Sequence, residues 1–583
     1  MDYYDQMRLK HLYLIPLLLT LNVNTPAQTI HETESGTQIS ALDSALFYQL
    51  LLGELNARSD EPASAFSLIL DAARQTNDPA LFKRAVYIAL QARSGESALI
   101  AAKAWSQAIP HSKEANRYVL QVLLGLNRTA EALDPLKRDI TLTSSKEQSD
   151  AIWLIPGLFE RSSDRVLAAT TVQKALASFL TNTNLGPTAW ATIGRMWLHA
   201  DVKPAALKAA TSGLGMSPRA EHPALLALSL LNSDVPAAQE LVQKHLPYAR
   251  PEFRMAYVKV LLNAKHESDA KTQLDTLQKQ SPDYPDTWLI NGALAMQDGQ
   301  IQAAQQQLQR YLELTEPNTH TTALGSYARG RTQALFSLAQ IAQQSKDFKQ
   351  ADAWLQRIDT PEDAMRAQIR RAILVAQQGQ LEAALTMIQN VPALTTDDLQ
   401  LQQSAQIQLL KDDKQYTRAR ALLQTQLTQD PENLDLVYDL AMLQEKLGDI
   451  DDMERLLRRL INTKPDDPHA YNALGYSLAD RGLRLPEAIT LITKALELKP
   501  NDPFITDSLA WAEFRSGNLD RALKLLQTAF KDKPDAEIAA HLGEVLWTLN
   551  RQMEAQDIWR EGLKLNPSNE TLINTLTRLK VVL

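Results

Sequence analysis

The sequence predicts an all-α fold, a helix-turn-helix solenoid of about 15 helix pairs at ~34 residues per pair. Three observations predict it. Between Asp430 and Leu579 the prolines Pro431, Pro465, Pro500, Pro534 and Pro567 stand 34, 35, 34 and 33 residues apart. Ala488, Ala522 and Ala555, with Met453 one step earlier, each lie twelve residues before a proline. The pairs Leu440-Ala441, Leu474-Gly475, Leu509-Ala510 and Leu542-Gly543 recur in the same register, with Gly448, Gly482, Gly517 and Asn550 in mid-step. No stretch alternates with period two for long enough to argue a sheet.

The spacing has a steric cause. Small residues on facing turns of two helices let their backbones approach closely, and the Gly or Asn between them supplies a left-handed turn that ends the first helix. A proline has no place inside a helix, so it ends the second and opens the next pair.

The chain in order begins with Arg8, Lys10 and His11 before an apolar run from Leu12 to Leu21, then small and polar residues to Ala27. This reads as a secretory signal over residues 1–27, with Thr25 and Ala27 at the cleavage site. The run falls short of the ~20 apolar residues that span a bilayer. Residues 28–41 are polar and aperiodic, a linker. Degenerate helical repeats are expected over 42–429 and regular ones over 430–583. Leu42, Ala45, Leu46, Gln49, Leu52 and Gly53 open the first helix, and Ala65, Ile69 and Ala72 mark its partner. Ala98, Trp105 and Pro110 fit the register, as do Trp190, Gly194, Ala206 and Gly213, and later Trp288, Gly292, Gly299 and Ala304. Phe348, Ala351 and Leu355, then Leu381, Ala384 and Ile388, read as second helices. From about Leu136 to Leu185 and from Glu221 to Asp275 helices are evident but register is not. The glutamine clusters at 302–309 and 400–408 keep apolar residues at helical spacing and read as solvated helix faces.

Composition excludes several functions. A net charge of -8 with both signs interspersed carries no basic footprint for nucleic acid. With no cysteine there is no disulfide, thiolate metal site, cysteine nucleophile or lipid-bearing thiol. The ten histidines form no His-x-x-x-His pattern, and no P-loop or Gly-x-Ser-x-Gly elbow occurs. Asp451-Asp452 and Asp466-Asp467 lie at expected helix starts and read as caps. The sequence therefore predicts a protein without catalytic residues, cofactor or metal.

The repeat after Asp430 resembles the tetratricopeptide repeat, and that resemblance extends over roughly residues 42 to 580. It implies a right-handed superhelix whose inner wall is lined by the first helix of each pair, and a role in binding other proteins. Places one and four residues past the Leu-Gly pair then put Tyr476, Trp511, Phe514 and Trp547 along one groove, or between neighbouring repeats. Arg515 beside them is placed to hold a peptide carboxylate. A narrower resemblance rests on Ala45-Leu-Phe-Tyr-Gln-Leu-Leu-Leu-Gly-Glu54, Ala72-Ala-Arg-Gln-Thr-Asn-Asp-Pro79 and Arg84-Ala-Val-Tyr-Ile-Ala-Leu90. These resemble the outer-membrane lipoprotein adaptors of periplasmic carboxyl-terminal processing proteases. The resemblance implies a periplasmic scaffold, associated with the outer membrane, that presents cell-wall hydrolases to a protease. Those adaptors are tethered through a lipidated cysteine, which this chain lacks. A component of an exopolysaccharide assembly or export machine is the alternative.

Overall fold

A computed structural model of the protein describes residues 43–59, 61–316 and 324–583. The expected signal (1–27) and linker (28–41), and the boundary at residue 42, lie outside the described residues. Every described element is helical, and the helices gather into two compact units, one ending at Lys265 and the other His266–Leu583. There are 31 α-helices among the described residues, as about 15 pairs require.

The first unit contains α1 (Ser44–Arg58), α2 (Pro62–Thr76), α3 (Pro79–Gln91), α4 (Gly95–Ala108), α5 (Lys113–Gly125), α6 (Leu133–Thr141) and α7 (Gln148–Leu158). It continues with α8 (Arg165–Leu176), α9 (Gly186–His199), α10 (Lys203–Met216), α11 (Glu221–Asn232), α12 (Ala238–His245) and α13 (Pro251–Asn263). Its core runs along the stack from Ala65 and Phe82 through Trp105 to Leu136, Ile152 and Met196. The stretch from about Leu136 to Leu185, with no legible register, holds Pro156 inside α7 and a short 3-10 turn at Ala177–Phe179, and another, Thr129–Ala132, stands just before it. There α7 packs on α9, and α6 on α8, so the simple alternation of neighbours is broken.

The second unit contains α14 (Glu267–Gln280), α15 (Pro285–Gln297), α16 (Ile301–Leu314), α17 (Leu324–Gln344), α18 (Phe348–Gln356), α19 (Pro361–Ala376), α20 (Leu381–Gln389), α21 (Thr396–Asp412) and α22 (Tyr416–Gln429). Then come α23 (Leu434–Leu447), α24 (Ile450–Thr463), α25 (Pro468–Asp480), α26 (Leu485–Leu498), α27 (Pro503–Arg515), α28 (Leu519–Asp532), α29 (Ala536–Thr548), α30 (Gln552–Leu565) and α31 (Glu570–Leu579).

The α23–α24 pair shows why these residues fold so. Asn433 caps α23 by accepting from the Leu436 N–H, and Gly448 ends it at φ +77°. In α24 Met453, Leu456, Leu457 and Leu460 fall on one face and are buried, each such side chain stabilising by about 2 kcal/mol, while arginines take the other. Pro465 follows the end of α24, and Pro468 opens α25 at its first turn, where the missing N–H costs nothing. The small residues do close the pair: a Cβ on Gly475 would lie 2.5 Å from Ile492 Cγ1 and 3.0 Å from the Ala488 carbonyl.

Two expectations are corrected in detail. Gln402 and Gln406, in the second glutamine cluster, are buried rather than solvated. The Gln402 amide donates to the Ile388 carbonyl (2.6 Å), which also accepts from the Val391 N–H, and to the Val391 carbonyl (3.0 Å) beyond the end of α20. Of the paired aspartates, Asp467 caps α25 as expected, but Asp452 accepts instead from Gln444 and Arg455, and Asp449 occupies the cap position of α24.

Candidate functional site

The first helices of four consecutive pairs, α23, α25, α27 and α29, line a cup of about 250 Å³. From α23 come Tyr438, Met442 and Glu445; from α25, His469, Asn472, Ala473 and Tyr476; from α27, Phe504, Asp507 and Ser508; from α29, Glu537. Counted from the leucine of each recurrent pair, Tyr438, Asn472 and Asp507 stand two places before it. His469, Phe504 and Glu537 stand five before. These six stand on the N-terminal halves of their helices, at places sequence reasoning did not single out, whereas Met442, Glu445 and Tyr476 line the cup from further along. The repeat of offset was the signal that could have found them.

The Tyr476 hydroxyl, on α25, lies 3.5 Å from Glu537 Oε1 and 3.4 Å from His541 Nε2, both on α29. Reaching over α27 in this way requires the wall to curve inward. Beneath it, His541 Nδ1 is 2.9 Å from Asp507 Oδ2, and both side chains are buried. The Trp511 indole stacks on the imidazole at 4.3 Å between centroids and donates to Asp480 Oδ1 at 3.2 Å.

The predicted aromatics are therefore placed as follows. Trp511 is 5% exposed and forms the floor beneath the cup, with Phe514 against it at 5.1 Å. Tyr476 lines the cup itself. Trp547 is half-buried and packs on Trp559 at 5.6 Å, away from the cup lining. Arg515 lies over the Trp511 ring at 5.8 Å and donates to the Asp480 carbonyl, so its guanidinium is turned to the protein. Trp511, Phe514 and Trp547 thus pack against neighbouring rings, whereas Tyr476, at the same offset as Trp511, lines the cup.

Three carboxylates, Glu445, Asp507 and Glu537, line the cup, and the basic group lining it is His469. Burial raises Glu537 above the ordinary glutamate value, with Asp507 and Asp535 adding to it against His541 and Tyr476. Burial pushes the Tyr476 phenol far up, and the charges of Glu537, Asp480, Asp507 and Glu445 push the same way. Burial would lower His541, but the charge and hydrogen bond of Asp507, with Glu537 and Glu544 behind, raise it above 6.5. Among the described residues no three His, Asp or Glu side chains are placed to hold a metal ion. A hollow of about 360 Å³ in the first unit, between the ends of α5 and α7, has Glu160 and Arg161 of opposite sign and no convergent acceptors.

Two segments match models of the tetratricopeptide repeat, residues 410–475 and 508–570, taking in α23 and α29 whole and parts of α25 and α27. The chain carries tetratricopeptide repeats. A TPR repeat-containing protein of Pseudomonas aeruginosa is 36% identical over 211 residues, 36% of this chain and 36% of its own length. Cellulose synthase operon protein C of Pseudomonas fluorescens is 27% identical over 267 residues, 42% of this chain and 20% of its own. The chain thus matches little more than a third, or less, of these relatives. A solved tetratricopeptide repeat protein from Parabacteroides merdae aligns at 15% identity and a TM-score of 0.34, over 43% of this chain and 99% of that one. The cup lies within the tetratricopeptide part of the second unit.

Proposed function

We propose that this protein is a non-catalytic scaffold that holds other proteins through extended segments laid along the α23–α25–α27–α29 wall. The observation that carries the reading is the cup itself, where side chains from four first helices converge on one concavity with Phe504 48% exposed. Exposed aromatics beside convergent polar groups are what segment recognition uses. The buried His541–Asp507 pair supports a structural role over catalysis, since Asp507 engages one imidazole nitrogen, Tyr476 faces the other and Trp511 covers the ring. The fuller reading is an exported adaptor of the periplasm that presents cell-wall hydrolases to a processing protease. Sequencing the N-terminus of the protein recovered from the cell envelope tests the export.

The test of the scaffold uses the full chain with a photo-cross-linking residue at Phe504, and at Met553, which is 82% exposed on α30, as control. Cross-linked partners are identified by mass spectrometry and their cross-linked segments resynthesised. Specific products at Phe504 whose segments bind the full chain support the reading. Equal products at both positions refute it. The similarity to cellulose synthase operon protein C favours a second reading, a part in exopolysaccharide assembly. Glycan co-purifying with the protein would favour that one.

A further inference from the structure

We propose that the cup takes a cationic side chain, a lysine ammonium or an arginine guanidinium, presented by an extended segment of a partner protein. The inference rests on the scaffold reading and gives the occupant its chemistry.

Four observations carry it. First, the Glu537 carboxylate is partly buried, and among the described residues the one group donating to it from another element is the Tyr476 hydroxyl at 3.5 Å, a long contact. No ion pair joins it to an arginine or lysine among the described residues. Second, Asn472 Oδ1 is buried beside the cup with no hydrogen-bond partner among the described residues. Third, the rings of Tyr438, Tyr476 and Phe504 line the same cavity, and aromatic faces attract cations. Fourth, the size is that of a side chain rather than a domain.

Carboxylates stand on three of the four surrounding helices, α23, α27 and α29, and two of them already have partners. On α23 Glu445 meets Arg481 at 3.4 Å, and that guanidinium also donates to the Ser477 carbonyl, so it is engaged away from the opening. On α25 His469 is at the rim. On α27 Asp507 is held by His541, itself beneath the floor. On α29 Glu537 stands with Asp535 behind it. An ammonium entering here meets the Glu537 carboxylate beside aromatic side chains and forms a charge-assisted bond, with Asn472 Oδ1 behind the lining as a further acceptor once the amide turns. A peptide carboxylate would meet like charges. Arg515, the cation the sequence offers for such a carboxylate, is turned to the Asp480 carbonyl.

The test is fluorescence anisotropy of the full chain with end-blocked, labelled peptides of one sequence, differing only at a central residue. That residue is lysine, arginine, acetyl-lysine, norleucine or glutamate. The lysine or arginine peptide is expected to bind about tenfold more tightly than the acetyl-lysine peptide. The advantage should shrink as salt rises and surface charge is screened. Glu537→Gln should erase the advantage while leaving helicity unchanged, and Asn472→Ala, which removes an unpaired acceptor, should reduce it. Equal binding of lysine and acetyl-lysine peptides, a preference for glutamate, no binding of any peptide at about millimolar concentration, or an advantage unaltered in Glu537→Gln overturns the proposal. Displacement by calcium at constant ionic strength would assign the site to an inorganic cation and also overturn it. Cross-links at Phe504 that persist without a lysine advantage would leave the scaffold and remove only the cation. Loss of specific cross-linking would remove the scaffold.

Discussion

Asp507→Asn is the sharpest perturbation of the wall, because it keeps shape and removes one buried charge. In the native protein the Asp507 carboxylate accepts from His541 Nδ1 at 2.9 Å, with the imidazole side chain 1% exposed. A bond to a charged group contributes about 1.5–3 kcal/mol and a neutral one about 0.5–1.5 kcal/mol. Asparagine should therefore cost about 1–2 kcal/mol while the imidazole is protonated. The cost must depend on pH in one direction. His541 is raised above 6.5 in the folded protein, so its contribution is complete below about pH 6.5 and is lost as pH rises through the raised value. Glu537, raised above 4.5, drains in the same direction, complete below about pH 4.5 and lost as pH climbs through its folded value. In the variant the upward pull of Asp507 is gone and burial favours the neutral ring. The destabilisation should thus be full near pH 5.5 and shrink as pH rises through the raised folded value of His541, changing by at most about 1.4 kcal/mol per pH unit. Hydrogen exchange of peptides from α27 and α29, read by mass spectrometry at several pH values, measures it locally, as a repeat array requires. A cost that is constant with pH, or that grows as pH rises, refutes the protonated pair.

Other substitutions separate close packing from turn geometry. Gly475→Ala should destabilise by about 1–3 kcal/mol, because the new Cβ meets Ile492 and the Ala488 carbonyl, whereas Gly448→Ala, in open space at φ +77°, should cost about 1 kcal/mol; urea unfolding monitored by exchange distinguishes them. Trp559→Ala empties a fully buried site and removes a donor to the Ala540 carbonyl, so about 3–5 kcal/mol should be lost from the α29–α30 pair, with loss of near-ultraviolet dichroism from the Trp547 contact. Gln402→Leu removes the donor to the Val391 carbonyl and one of the donors to the Ile388 carbonyl and should cost about 1–3 kcal/mol, seen as faster exchange in α20 and α21.

Much of the second unit was legible because its spacing rules are local. Pro465 after α24, Gly448, Gly482 and Gly517 in left-handed turns, and Ala488 against Gly475 each follow from sterics within one pair. Between Glu221 and Asp275 the register faded where Asp234 and Lys265 fill the same left-handed turn, and between Leu136 and Leu185 where Pro156 and a 3-10 turn interrupt the helices. Asp201, Asp234 and Lys265 in the first unit, and Lys346 and Lys414 in the second, hold φ between 58° and 61° where glycine was the expected marker. Each bears a modest strain, about 1–2 kcal/mol, that packing of the flanking helices outweighs. The turn is present and its signature residue is absent.

The chain's local chemistry thus determined that it is all-helical, paired and repeating, since helix ends, tight turns and close approach are settled by a residue and its near neighbours in sequence. Which side chains face the hollow was decided only in three dimensions. Tyr476 and His541 are 65 residues apart and meet because α25 and α29 curve together over α27. Trp511 lies under that meeting, where the sequence left it between groove and repeat contact, and Arg515, read as placed for a peptide carboxylate, is drawn to the Asp480 carbonyl. Periodicity specifies that a place recurs once per pair. The rotation of each helix on its neighbour sets whether that place is floor, wall or outer face, and that rotation comes from packing summed over several repeats.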